Sequence, residues 1–279
     1  MAVDLHTHSS ASDGTDSPAL LVERAAGAGL SAVALTDHDT LSGIEEAMAA
    51  AAANGVRLIP GTELSVDHDS LKIHLLVYFL EPVDGPLQDR LGELRQGRDR
   101  RNVEILAKLR ALGLEIDDAD VAAQAGGESV GRPHIADALM AKGVVASRAE
   151  AFDRFLGDGG VAYVARHRLT AAEAIGLAVE SGAVTSVAHP HTIDGTAATY
   201  PSLFAELGDL GLTGIEAHYP EHSPDLRRHL AGLATDLGLV ATGGSDYHGT
   251  GKPGLDLGIG FGDLDVPDTV VAQLEDKRA

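Results

Sequence analysis

Two histidines, His6 and His8, stand one residue apart just after a short apolar run at residues 3–5. The apolar run predicts a strand, and side chains two apart on an extended segment point the same way. Two imidazoles in that arrangement can bind a single metal ion, and Asp13 is close enough in sequence to return from the following loop. Taken alone, the pair is explained equally well by two exposed histidines.

Histidine or a carboxylate follows nearly every strand that the sequence predicts. In parallel α/β barrels the active site lies at the C-terminal ends of the strands, so side chains from distant positions would converge on one face. A metal-free core gives no reason for this placement, and the pattern as a whole predicts a metal site. The predicted strands and the polar residues that follow them are Ala32–Leu35 with Asp37 and His38, residues 57–60 with Glu63, Val184–Val187 with His189, and residues 239–242 with Asp246 and His248.

Each of these local patterns also has a plain structural explanation. Asp37 and His38 could form a turn with N-capping carboxylates, and the glycines before Asp246 could mark only a tight turn. His74 lies inside the predicted strand 71–80, where a lone histidine is usually part of the core, although the inward face of a barrel strand would deliver it to the cluster. Because the chain has no cysteine, imidazole and carboxylate must be the ligands, and this set suits Zn, Mn or Fe better than Ca or Mg alone.

A second candidate site lies at residues 131–134, where Pro133 predicts the start of a helix. The free backbone N–H groups and the dipole of a helix N-terminus favour an anion, and Arg132 adds a fork of donors suited to phosphate. Arg132 and His134 are therefore predicted to bind a phosphate, with an ordinary solvated helix start as the alternative. The histidines without such a context, which are predicted to lie on the surface, are His68, His167 and His229.

Strands alternate with helical patterns over most of the chain, which predicts a parallel sheet or barrel. The alternation breaks between residues 82 and 160, where Leu87 and Leu91 begin a series of leucines at helical spacing. We therefore predict a barrel built from residues 1–81 and 161–279, with an all-helical insertion at residues 82–160.

The charge of the chain limits its partners. It carries 21 Lys and Arg against 42 Asp and Glu, a formal net charge of −21. Such a surface repels long nucleic acids, so stable binding of a duplex is not expected. Residues 81–160 hold 11 basic and 15 acidic residues, a net of −4, so positive groups for an anionic ligand would come from this segment. With no signal-peptide pattern and no apolar stretch of the roughly 18 residues that span a membrane, the sequence predicts a soluble cytoplasmic protein.

Four motifs together resemble the PHP (polymerase and histidinol phosphatase) family. They are residues 4–9 (DLHTHS), 36–38 (TDH), 188–190 (AHP) and 244–248 (GSDYH), and the resemblance spans nearly the whole chain. It implies an α/β fold, a distorted (β/α)₇ barrel, with up to three divalent ions, Mn²⁺, Zn²⁺ or Fe²⁺. The ligand sets that it implies are His6, His8, Glu63 and Asp246 for one ion, Glu63 as a bridge with His74 and His189 for the second, and Asp13, His38 and His248 for the third.

The helical insertion and residues 131–135 (GRPHI) resemble one branch of this family. That branch hydrolyses nucleoside 3′,5′-bisphosphates and trims short 5′-phosphorylated RNA or DNA, and the insertion would cover the barrel mouth as a lid that holds the nucleotide. The resemblance implies a metal-dependent phosphoesterase in which water activated at the metals attacks phosphorus. His191 and His222 are the candidates for protonating the leaving oxygen.

Two alternatives remain open at this point. One is another small-molecule metal hydrolase, either like histidinol phosphatase or an amidohydrolase, although a large insertion has no obvious use for a small amino alcohol. The other is a non-catalytic, metal-stabilised module of the kind associated with polymerases. A degraded ligand set would favour that module, and here every expected ligand is present.

Overall fold

The strands of the protein form one mixed sheet. The computed structural model describes residues 2–125, 130–166, 168–193 and 197–278. The strands in these residues are β1 (Val3–Asp4), β2 (Ala32–Leu35), β3 (Arg57–His68), β4 (Leu71–Tyr78), β5 (Leu169–Thr170), β6 (Val184–Val187), β7 (Gly214–His218) and β8 (Val240–Gly243).

The sheet curves into a nearly closed barrel. Its strands follow one another in the order β1-β2-β3-β4-β6-β7-β8, with β5 beside β3. β1, β2 and β3 run parallel, as do β6, β7 and β8. The two ends of the sheet meet where the Leu5 N–H donates to the Gly243 carbonyl at 3.2 Å and the Asp246 N–H donates to the His6 carbonyl at 2.8 Å. This α/β barrel confirms the predicted fold class.

β3 and β4 form an antiparallel hairpin that the sequence did not predict. Their connection holds only Asp69 and Ser70, which is too short for the crossover that joins parallel strands. Asp69 adopts a left-handed backbone with φ of 52°. β3 was predicted to end at residue 60, but it continues because residues 61–68 all pair with β4. Glu63 therefore lies inside a strand rather than after one, and His74 lies on the neighbouring strand.

Several helices begin at a side chain that caps the N-terminus. Ser17, Ser147 and Ser223 each accept a backbone N–H at the start of a helix, and Thr170 forms a capping box with Glu173. Within the described residues, none of the helices is both long and apolar enough to cross a membrane. The helices are α1 (Pro18–Gly27), α2 (Ile44–Asn54), α3 (Pro86–Ala111), α4 (Asp118–Ala122), α5 (Arg132–Ala141), α6 (Arg148–Ala151), α7 (Ala171–Glu180), α8 (Tyr200–Asp209), α9 (Pro224–Asp236) and α10 (Thr269–Glu275), and a π-helical turn over Phe152–Leu156 continues α6.

The segment predicted to be an insertion contains α3 to α6, and α3 contributes to two hydrophobic cores. Its first turns bury Leu87 and Leu91 in the same core as Ile175 of α7. Its last turns bury Ile105 and Leu109 in a separate core built with α5 and the π-helical turn. α3 thus ties the helical segment to the barrel. The division of the chain at residues 82 and 160 stays a prediction.

Candidate metal centre

Two buried aspartates, Asp37 and Asp4, hold the loops that carry the histidines. Asp37 accepts hydrogen bonds from the Ser9 N–H at 2.8 Å and from the Ser9 hydroxyl at 2.6 Å. Asp4 accepts the corresponding pair from Ser245, also at 2.8 and 2.6 Å. Burial raises the pKa of both carboxyl groups, and these hydrogen bonds oppose the shift. Asp37 follows β2 as predicted, but it accepts hydrogen bonds from the backbone and the serine hydroxyls of the loop after β1.

Glu63 lies at the centre of the histidine cluster. It is 1% exposed, and both of its carboxylate oxygens face imidazole rings. Burial opposes its ionisation, but the nearby histidines outweigh burial and hold the pKa of Glu63 well below its usual range. The nitrogens nearest to Oε1 are His74 Nδ1 at 2.8 Å and His189 Nε2 at 3.0 Å, and those nearest to Oε2 are His38 Nδ1 at 3.1 Å, His8 Nε2 at 3.2 Å and His6 Nε2 at 3.4 Å.

Asp246 presents a single oxygen to the cluster. Its Oδ1 lies 3.3 Å from His8 Nε2 and 3.4 Å from His248 Nδ1. Its Oδ2 accepts a hydrogen bond from the Tyr219 hydroxyl at 2.8 Å and pairs with the Lys252 ammonium. Burial opposes ionisation of Asp246, but the surrounding positive groups keep its pKa well below the usual range. Tyr219 and Lys252 therefore fix how this carboxylate is oriented.

Asp13 brings the remaining rings together. Its Oδ1 lies 3.3 Å from His248 Nε2 and 3.9 Å from His8 Nδ1, and its Oδ2 lies 3.6 Å from His38 Nε2. His8 Nδ1 is buried and has no hydrogen-bond partner in the described part of the chain. All nine residues predicted as ligands thus lie in one cluster. Within this cluster, the groups whose ligand atoms lie within 4.8 Å of one another are His6 with His8 and Asp246, His6 with Glu63 and His189, and His8 with Asp13, His38 and His248.

The hydrogen bonds around the rings direct nitrogen lone pairs into the cluster. His6 donates its Nδ1 proton to Glu216 Oε1 at 2.9 Å, so Nε2 carries the lone pair when the ring is neutral. His189 donates its Nδ1 proton to Thr192 Oγ1 at 3.0 Å, because the Thr192 hydroxyl is itself donating to the His189 carbonyl. His6 Nε2 lies 3.1 Å from His8 Nε2. Lone pairs and carboxylate oxygens at these distances repel one another unless cations lie between them, so the residues present fit divalent metal ions.

Protons compete with metal ions for the ring nitrogens of the cluster. Burial opposes protonation of His6 and His8, but nearby carboxylates, above all Glu216 for His6 and Asp246 for His8, outweigh burial. They raise the pKa of His6 well above its ordinary value and that of His8 to about 9. Burial dominates at His38 and lowers its pKa to about 3. Metal ions that enter this cluster therefore displace protons.

Glu216 is a residue of the site that the sequence analysis did not identify. It lies on β7, is fully buried, and accepts the His189 N–H at 2.6 Å through Oε2 while Oε1 contacts His6. Glu216 therefore orients both the loop that carries His6 and the loop that carries His189. The available signal was a lone carboxylate inside the apolar run at residues 212–217, which is an unfavourable position for a charge unless it is paired.

A cavity of about 240 Å³ opens beside the cluster, and its wall includes Asp13, His38 and His74. We call it the inner cavity. Asp39 is 1% exposed and forms ion pairs with two guanidinium groups of the cavity wall. Despite burial, these two groups hold the pKa of Asp39 below its usual range. The guanidinium groups that line the inner cavity are those of Arg98 and Arg166, which pair with Asp39, and those of Arg101 and Arg132.

Arg101 and Arg132 form no ion pair with a carboxylate in the described residues. Arg101 is 7% exposed, and its Nε has no hydrogen-bond partner there. Burial and the neighbouring guanidinium groups lower the pKa of Arg101 to about 9. Arg132 donates to the Leu156 carbonyl at 3.1 Å and lies over the Phe152 ring at 5.4 Å. One buried and one half-buried positive group without a paired carboxylate favour an anion in this cavity.

His134 does not line the inner cavity, whereas Gly131, Arg132 and Pro133 do. It is 3% exposed, and its Nδ1 accepts the Gly131 N–H at 3.0 Å, so the ring caps its own helix. This arrangement satisfies a backbone donor that was predicted to be free for an anion. Contact between His134 and a substrate stays a prediction.

His191 and His222 form a hydrogen-bonded pair at the edge of the cluster. His222 donates its Nδ1 proton to the Ala217 carbonyl at 3.1 Å, so its Nε2 accepts from His191 Nδ1 at 3.0 Å. Burial lowers the pKa of His222 to about 4 and also lowers that of His191. The His191 side chain is 26% exposed, and its Nε2 lies 3.3 Å from Glu221. Of the two predicted acids, His191 is the better placed to meet a substrate.

The histidines predicted to lie on the surface differ in burial. His229 is exposed. His68 is only 12% exposed, because β3 extends to this residue and brings its Nε2 within 3.6 Å of Glu206 on α8. His167 lies outside the described residues.

Comparison with known proteins gives matches along nearly the whole chain. Residues 4–110 match the PHP domain. A 3′,5′-nucleoside bisphosphate phosphatase from Chromobacterium violaceum is 33% identical over 257 residues, which cover 92% of this chain and 90% of that protein. A 5′-3′ exoribonuclease from Haemophilus influenzae is 35% identical over 245 residues, 88% of this chain and 89% of that protein. The structure of a predicted metal-dependent phosphoesterase from Bifidobacterium adolescentis aligns with a TM-score of 0.88 at 31% identity, covering 99% of this chain and 96% of that one.

The barrel, the histidine–carboxylate cluster and these matches define a metal-dependent phosphoesterase. The chain belongs to the PHP family.

Proposed function

We propose that the protein hydrolyses a phosphate ester of a nucleotide that carries a second phosphate, with nucleoside 3′,5′-bisphosphates as the preferred substrates. The observation that carries this proposal is the position of Arg101 and Arg132, which lack carboxylate partners in the described residues, in the cavity that His38 and His74 also line. One phosphate would lie at the cluster while the other contacts the two arginines. The names of the Chromobacterium and Haemophilus relatives, a nucleoside bisphosphate phosphatase and an exoribonuclease, support a nucleotide substrate.

The ligand sets implied by the resemblance are kept in this proposal, with one addition. His8 faces the third set through its unpartnered Nδ1 as well as the first through Nε2. Imidazole and carboxylate ligands favour Mn²⁺, Zn²⁺ or Fe²⁺. Such ions, when bound, supply Lewis acidity and lower the pKa of water. The proposed ligands are His6, His8, Glu63 and Asp246, then Glu63, His74 and His189, and finally His8, Asp13, His38 and His248.

The other side chains bind, orient and transfer a proton. Arg101 and Arg132 would hold the non-reacting phosphate by charge-assisted hydrogen bonds, which positions the ester at the cluster. His191 would give a proton to the leaving oxygen, with His222 fixing its ring through the 3.0 Å contact. Lys252 would hold the second oxygen of Asp246 away from the cluster.

Short 5′-phosphorylated RNA or DNA is a second candidate substrate. The observation that favours it is that the inner cavity continues into a second cavity of about 290 Å³, with Arg101, Arg132 and Arg166 in both walls. A substrate longer than one nucleotide therefore has room beyond the arginines.

A phosphate-release assay with the Mn²⁺-loaded protein, together with an amine-release assay for the amide, tests the proposal. The substrates are a nucleoside 3′,5′-bisphosphate, its two monophosphates, histidinol phosphate and a simple amide. We expect kcat/KM for the bisphosphate to exceed that for either monophosphate by about 10- to 100-fold, because a charge-assisted contact contributes about 1.5–3 kcal/mol. Equal rates on the mono- and bisphosphates would contradict the two-phosphate arrangement. A preference for histidinol phosphate or the amide would favour the small-molecule alternative, and no turnover at full metal loading would favour a non-catalytic module.

A further inference from the structure

The second cavity, which we call the outer cavity, is continuous with the inner one. The residues that line both cavities are Ser65, His74, Arg101, Arg132, Phe152 and Arg166. The residues found only in the outer wall are Val66, Lys72, Ile73, Gly157, Asp158 and Arg168.

The β3–β4 hairpin fixes the direction of the outer cavity. Lys72 and His74 are two residues apart on β4, so their side chains share one face and their Cα atoms are roughly 7 Å apart. Arg168 directly precedes β5, which pairs with β3 at Val66. The outer cavity thus extends along the hairpin from the cluster ligand His74 toward the turn that holds Asp69.

The charge of the outer wall favours an anion. One carboxylate in that wall, Asp158, pairs with Lys72, and Arg168 pairs at 3.1 Å with Asp67, which does not line the cavity. This excess of positive groups stands out in a chain with a formal charge of −21. The positive side chains of the outer wall are Lys72, Arg101, Arg132, Arg166 and Arg168.

We infer that the outer cavity binds the next phosphodiester of a substrate longer than one nucleotide, and that Lys72 and Arg168 set the preference for chain length. The inference rests on the proposed nucleotide function and adds a subsite to it. The 5′-terminal phosphate lies at the cluster, where water replaces the 5′-oxygen of the chain and inorganic phosphate is released; the next phosphate contacts Arg101 and Arg132, and the third contacts Lys72 and Arg168. A nucleoside bisphosphate does not reach this subsite.

The test compares Lys72→Ala and Arg168→Ala with the wild type on two substrates, a nucleoside 3′,5′-bisphosphate and a 5′-phosphorylated trinucleotide. The partner carboxylates Asp158 and Asp67 are 57% and 42% exposed, so neither substitution leaves a buried charge unpaired. Arg228→Ala is the control, because it removes a positive charge from a 72% exposed side chain on α9.

We expect kcat/KM on the trinucleotide to fall at least about fivefold in each variant, because one phosphate contact is lost. In a plot of log kcat/KM for the trinucleotide against the logarithm of the salt concentration, the slope should become shallower by about 0.7 per lost contact. Bisphosphate hydrolysis should stay within about twofold of the wild type, and Arg228→Ala should change neither substrate.

Unchanged trinucleotide hydrolysis and salt dependence in both variants would overturn the inference, and so would equal losses on both substrates. A wild-type protein that releases no phosphate from the bisphosphate contradicts the proposed function itself. A working bisphosphatase whose trinucleotide activity is insensitive to Lys72 and Arg168 contradicts only the outer subsite.

Discussion

Glu216 Oε1 lies 2.9 Å from His6 Nδ1, and this contact decides which nitrogen of His6 faces the cluster. The other oxygen of the same carboxylate accepts the His189 N–H at 2.6 Å. One buried side chain on β7 therefore sets the orientation of residues that follow β1 and β6. Carboxylates that orient metal-binding histidines in this way also raise the basicity of the ring.

Replacing Glu216 with glutamine should weaken metal binding while leaving the fold intact. An amide has a single accepting oxygen, so either the His6 ring or the His189 N–H loses its partner. We expect metal affinity to fall about 10- to 100-fold, measured by competition with a chelator. Glu180→Gln, at the exposed end of α7, is the matched control and should behave as the wild type. Equal affinities for the Glu216 variant and the control would show that this contact does not support the metal ligands.

Arg132→Ala separates binding of the second phosphate from the chemistry at the cluster. Loss of a charge-assisted contact should lower kcat/KM on a 3′,5′-bisphosphate by about 10- to 100-fold. Weaker binding alone would appear in KM, and misplacement of the ester would also lower kcat. An aryl phosphate, which does not reach Arg132, should be hydrolysed at the wild-type rate. Arg110→Ala, an exposed change on the same helical segment, is the control. If both substrates suffer alike, Arg132 has a structural role instead.

The metal-free protein should lose stability as the pH rises from about 6.5 to about 9. The pKa of His8 is raised to about 9 and that of His6 well above its ordinary 6.5, so their protonated forms stabilise the fold. That stabilisation is fully present below the unfolded pKa and is lost as pH rises through the folded one. Thermal unfolding in the presence of a chelator should show a falling Tm over this range, and the metal-loaded protein a smaller change. A metal-free Tm that is flat or rises would contradict the proton-filled cluster.

Local sequence patterns predicted those parts of the site that depend on neighbouring residues. His6 and His8 follow an extended segment, and their shared direction needs only the period of a strand. The caps of α1 and α9 are local in the same sense, because a serine followed by proline favours a helix start whatever surrounds it. The predicted ligands that follow parallel strands lie together because these parts of the barrel bring strand ends to one face.

Contacts between distant positions could not be predicted in this way. Glu216 meets His6 across 210 positions of the chain, and no local pattern indicates that pairing. The antiparallel pairing of β3 and β4 depends on a two-residue turn at Asp69 that the sequence analysis did not identify. Arg101 lies on α3 among several arginines, and only the tertiary structure shows that it is buried without a carboxylate in the described residues.

The metal content of the protein after mild purification tests the proposed centre most directly. Elemental analysis should find more than one equivalent of transition metal in the wild type, because Glu63, Asp246 and Asp13 each face several imidazoles. Glu63→Gln should lower that content and abolish turnover while the protein stays folded, since its two oxygens contact separate sets of rings. Less than a single equivalent in the wild type, not restored by incubation with Mn²⁺, Zn²⁺ or Fe²⁺, would contradict a multinuclear centre.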